Sequence, residues 1–134
     1  MSPSEAFMTH CFDMDLYMNL NFSKQDTFLK CVAECYEEWK CLLLIMADLS
    51  DDMHWRFLKD MFTQSTDSKP AHWVEDGRIT NGDLLREHFK IYGLEPGSRE
   101  AFKLTEEFSI KDIPFLCSIL PQDDYRYTVI ECYQ

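Results

Sequence analysis

From Phe28 to Met46 the apolar positions recur at intervals of four, three, four, three and four: Phe28, Val32, Cys35, Trp39, Leu42 and Met46. That spacing lines one stripe of an α-helix, so the pattern predicts a helix starting near residue 24 with Trp39 in its core. Ser23 and Asp26 offer a hydroxyl and a carboxylate to the unpaired N–H groups of a first turn. Ser50-Asp51-Asp52 repeats that cap and starts a second helix burying Phe57, Leu58, Met61 and Phe62. A third helix is expected from Thr80 or Asn81, with Leu84, Leu85, His88, Phe89 and Tyr92 inward and Gly93 at its left-handed stop ahead of Pro96. Ser98 then begins a fourth over Ala101, Phe102, Thr105 and Phe108. Asp112 begins a last one, with Pro114 in the first turn and its end before Pro121.

Between and around these helices the pattern changes. Residues 1–22 are rich in Met and aromatic side chains without a long period, which reads as a short helix or irregular arm lying against the body. The polar run from Thr63 to Pro70 reads as a loop. The segment 72–80 either turns as a hairpin at Asp76-Gly77 or connects two helices. Tyr125 to Tyr133 alternates, Tyr125, Tyr127, Val129 and Tyr133 on one face against Ile130 and Cys132 on the other, and predicts an extended tail. The expectation is a single domain: an arm over 1–22, a helical body over 23–121 and a tail over 122–134. Its class is mainly α, a helical bundle with a C-terminal β segment. The alternative is α+β, with the 72–80 hairpin and 125–133 forming a small antiparallel sheet.

Four stretches carry a family resemblance over about 41–120. Leu42-Leu43-Leu44-Ile45-Met46-Ala47-Asp48-Leu49-Ser50-Asp51-Asp52 and then Phe57-Leu58-Lys59-Asp60-Met61-Phe62 resemble two successive helices and their acidic junction. Asp83-Leu84-Leu85-Arg86-Glu87-His88-Phe89-Lys90-Ile91-Tyr92-Gly93 is similar to a helix ending in an aromatic-glycine pair, and Ser109-Ile110-Lys111-Asp112-Ile113 to a polar turn before a last helix. Together they resemble the death-fold superfamily, the six-helix bundles typified by death-effector and pyrin domains. That resemblance implies an adaptor that assembles partners in apoptotic or innate-immune signalling.

Composition narrows the partners. Among 134 residues, 13 Lys and Arg stand against 24 Asp and Glu, a formal charge of -11 that repels nucleic-acid phosphates and anionic lipid. A protein partner with a basic surface is expected; direct nucleic-acid and membrane binding are not. The longest apolar run, Cys41 to Ala47, is far shorter than the ~20 residues of a membrane span. The first residues lack the basic and apolar regions of a secretory signal, so the six cysteines are expected as reduced thiols in cytosol or nucleus.

Candidate chemistry is sparse. Cys31 and Cys35 share a helix face, but no second pair completes a zinc knuckle, so neither a metal nor a cofactor is expected. Histidines 10, 54, 72 and 88 sit in no catalytic motif. Trp55 lies off the buried stripe beside Arg56 and Lys59, and Trp73 stands near a turn. Trp55, Arg56, Lys59 and Trp73 are therefore the candidate partner-binding residues. The leading function is a non-enzymatic protein-interaction domain that regulates or assembles a partner. The alternative is an acidic inhibitor or immunity-type protein blocking a basic surface on one target, and the third reading is a small cysteine- or metal-dependent enzyme.

Overall fold

The computed structural model describes residues 1–13, 20–63 and 81–133. Its elements run α1 (Pro3–Asp13), α2 (Phe28–Glu37), β1 (Cys41–Met46), α3 (Asp52–Thr63), α4 (Asn81–His88), β2 (Phe89–Leu94), α5 (Arg99–Glu107), β3 (Phe115–Pro121) and β4 (Tyr127–Tyr133). The strands form one mixed sheet in the order β2-β1-β3-β4. β1 and β2 are parallel, while β3 is antiparallel to β1 and β4 antiparallel to β3.

This sheet overturns the expected helical bundle and with it the death-fold resemblance. The run Leu42 to Met46 is a strand because both faces of the sheet are covered. Leu42, Leu44 and Met46 join one core with Phe28, Val32 and Cys35 of α2 and Ala101 and Leu104 of α5. Leu43 and Ile45 join a second core with Phe7 and Cys11 of α1 and Leu58 and Phe62 of α3. A strand buried on both sides loses its alternation and reads as a continuous apolar run. The apparent helical stripe from Phe28 to Met46 thus spans a helix, a turn and a strand.

Two local expectations change with the sheet, and a third, the extended tail, is met by β4. Gly93 is not a helix stop but lies inside β2, opposite Ile45. A Cβ there would stand 2.1 Å from Phe7 Cδ1, so glycine makes room for the α1 ring. The 112–121 segment is not a helix: the Ile113–Pro114 peptide is cis and leads directly into β3. The 125–133 tail pairs with that strand, in a register that shifts at Ser118/Ile119 and leaves Ile130 as the extra residue of a bulge. The 63–70 loop beyond Thr63 and the 72–80 hairpin lie outside the described residues.

Two caps form as expected. Ser98 accepts the Ala101 N–H at 3.0 Å, and Asp51 accepts the Met53 N–H at 2.9 Å. The first long helix begins later than its pattern suggests, at Phe28, with Thr27 as its cap. At one edge of the sheet, Asn21 and Ser23 hydrogen-bond to Ile91 of β2. β4 stands at the other edge.

Candidate functional site

β1 and β2 end side by side, and open α/β sheets bind ligands beyond the C-terminal ends of their strands. Two histidines and several carboxylates gather there. Glu95 Oε1 accepts the Leu49 N–H at 3.2 Å and faces His10 Nδ1 at 2.8 Å. His54 Nδ1 accepts the Asp48 N–H at 3.0 Å, which leaves its proton on Nε2, 3.9 Å from Asp51. These groups hold backbone: Glu95 ties α1 to the loop after β1, and His54 ties that loop to α3. Cys11, next to His10, is buried, and burial followed by the charge of Glu95 pushes its thiol up to about 12. Shut away from solvent, this thiol is not placed to meet an external reagent. Among the described residues no group of three or more His, Cys, Asp or Glu side chains is placed to hold a metal ion.

The opposite end of β1 carries a different feature. α2 ends in a Schellman motif, in which the Lys40 N–H donates to the Cys35 carbonyl at 3.0 Å and the Trp39 N–H to that of Tyr36 at 3.4 Å. This geometry puts Trp39 at the left-handed position, φ 58°, where glycine is usual. The indole is 94% exposed. It borders a groove of about 490 Å³ also lined by Tyr36, Cys41, His88, Leu120 and Pro121. Tyr36 and Leu120 are themselves exposed. The exposed side chain adds little packing to offset the cost of its left-handed backbone, and strain of this kind concentrates at functional sites.

Of the candidates drawn from sequence, Trp55 is half-buried against the α1–α3 core, with Lys59 Nζ 4.8 Å from the ring centroid. Arg56 is paired with Asp52 at 3.0 Å on the exposed face of α3. Trp73 lies outside the described residues. The structure thus brings Trp55 and Lys59 together, with Arg56 one position along the same helix. Sequence reasoning placed Trp39 in the core and missed it. The signal available was the run of seven consecutive apolar residues from Cys41 to Ala47, which fits a buried strand as well as a helix and, read as a strand, ends the helix before it.

The two thiol pairs differ in accessibility. Cys31 and Cys35 Sγ are 3.9 Å apart within α2 and both fully buried. The Cys31 hydrogen bond, then burial, push the Cys35 thiol up. Cys117 and Cys132 Sγ are 3.2 Å apart across β3 and β4, Cys117 buried and Cys132 exposed.

Among the described residues no helix is long and apolar enough to cross a membrane. No protein-family model and no curated protein matches the sequence. Among solved structures the chain is similar to a thioredoxin from Thermus thermophilus, with a TM-score of 0.58 and 12% identity over 87% of this chain and 76% of that one. The likeness, together with the strand order β2-β1-β3-β4, makes this a thioredoxin-like α/β fold and not a death-fold bundle.

Proposed function

We propose that this chain is a non-enzymatic protein-interaction domain on a thioredoxin-like scaffold, and that Trp39 anchors the partner. The single observation that carries the reading is the 94% exposure of Trp39 at a position whose backbone favours glycine. Tryptophan is the residue type most enriched among binding hot spots, and the groove beside it offers apolar walls from Tyr36, Leu120 and Pro121. The net charge of -11 favours a partner whose contact surface is rimmed by Lys and Arg. Redox proteins of this fold depress a thiol pKa within a C-x-x-C motif, and no two of the six cysteines here have that spacing. This favours binding over dithiol catalysis. A reducing compartment suits the six free thiols.

The test is paired affinity capture with the wild-type chain and the Trp39→Gly variant. A specific partner should be retained by the first and bound at least tenfold more weakly by the second, as loss of a hot spot of about 1.4 kcal/mol or more requires. With that partner purified, its addition should shift the Trp39 emission to shorter wavelength, and raising salt should slow association. If every captured protein binds both variants equally, Trp39 is not an anchor and the reading fails.

A further inference from the structure

We infer that Cys117 and Cys132 form a redox-responsive site, a dithiol that closes to a cross-strand disulfide on reaction with a small-molecule disulfide. The inference is independent of partner binding at Trp39.

The placement depends on the bulge. By plain alternation, Cys132 would lie on the face opposite Tyr127 and Val129. Ile130 has no partner in the β3–β4 register, and this extra residue turns Cys132 back to the face of Tyr127, where Cys117 lies directly across. Tyr127 and Cys117 both belong to the core on the α2 side, which fixes that face. Residues directly opposed in an antiparallel pair have Cα atoms about 4.5–5.5 Å apart, inside the range a disulfide spans. The sulfurs, at 3.2 Å, need to close by about 1.2 Å to bond.

The two thiols have unequal roles. Cys132 is exposed and can be reached from solvent, whereas burial and then the hydrogen bond with Cys132 push the Cys117 thiol up to about 12. Cys132, as thiolate, attacks one sulfur of a disulfide RSSR. A Cys132–SR bond forms, the S–S bond of RSSR breaks, and the departing RS⁻ takes the proton that Cys132 gave up. Cys117 then loses its proton and attacks Cys132 Sγ from within, expelling the second RS⁻, which takes that proton. Two thiols and RSSR become one protein disulfide and two RSH. Two electrons pass from the protein to the small disulfide. The product fastens the edge strand β4 to β3.

Cys31 and Cys35 provide an internal contrast, a neighbouring pair with both sulfurs shut away from solvent. Cys41 is half-exposed, and its register partners carry no thiol, since it pairs with Phe89. It can take up an adduct but has nothing across the strand with which to resolve it.

The experiment treats the reduced full-length chain with oxidised glutathione, blocks remaining thiols and maps the peptides. The Cys117 and Cys132 peptides are expected to be joined, and the melting temperature to rise by about 10 °C and return on reduction, as closing a loop of this length predicts. In Cys117→Ala, Cys132 should instead hold a lasting glutathione adduct. In Cys132→Ala, Cys117 should remain a free thiol. A wild-type chain in which Cys132 stays unreacted, or keeps its adduct without linking to Cys117, overturns the inference. So does linkage of Cys31 to Cys35 ahead of this pair.

Discussion

Replacing Trp39 with glycine should make the protein more stable while removing the most exposed aromatic among the described residues. The left-handed backbone at φ 58° costs an L-residue about 1–2 kcal/mol, which glycine does not pay. Glycine's greater freedom in the unfolded chain returns about 0.5–1 kcal/mol of that gain. The indole is 94% exposed, so little packing is lost. The net expectation is a stabilisation of about 0.5–1 kcal/mol. Trp39→Ala removes the same indole but keeps the backbone cost, and should fall within about 0.5 kcal/mol of wild type. At about 2.1 cal/mol/K per residue, 134 residues convert 1 kcal/mol into a shift of about 3–4 °C. Urea titrations of the three proteins give the comparison, with a higher midpoint and unchanged slope for glycine alone. If the glycine and alanine variants melt together, the backbone at residue 39 is unstrained and the case for Trp39 as a functional exception collapses.

Three further outcomes follow from the packing. Gly93→Ala should cost about 1–3 kcal/mol by pressing a methyl into the Phe7 ring, and adding Phe7→Ala should cost less than the sum of the two single changes; strict additivity would refute the contact. Tyr92→Phe should stabilise by about 1 kcal/mol, because Tyr92 Oη is buried without a hydrogen-bond partner among the described residues while its ring packs against Phe28; a clear loss of stability would mean the hydroxyl is satisfied. Burial pushes Glu34 up, but hydrogen bonds from Gln25 and Ser23 and the charge of Lys90 outweigh it and hold the carboxyl below 4.5. A depressed acid contributes stability above its unfolded value and loses it as pH falls through its folded one. Acid titration of wild type against Glu34→Gln should therefore show a shallower loss of stability below about pH 4.5 in the variant; identical acid limbs would remove Glu34 from the account.

Much of the local structure was legible along the chain. Ser98 and Asp51 cap helices because a short oxygen-bearing side chain ahead of an amphipathic turn satisfies N–H groups within a few residues, a matter of local chemistry. The alternation at the C-terminus marked a strand for the same reason. What escaped was decided by contacts between distant segments. Cys41 to Met46 became a strand only because α2 and α5 cover one face and α1 and α3 the other, and a run buried on both faces has no period to distinguish it from a helix. α2 and α5 end with Trp39 and Ser109 in left-handed positions, so the glycine that announces a helix stop was missing, while Gly93 serves a strand by admitting Phe7. The candidate site divided in the same way. Sequence located the acidic surface and the tryptophans, properties of residues taken singly. Exposure of Trp39 follows from a turn closed by hydrogen bonds within residues 35–40, and the meeting of Cys117 with Cys132 from a bulge and a register that only the paired strands β3 and β4 set; no pattern of single residues announces either.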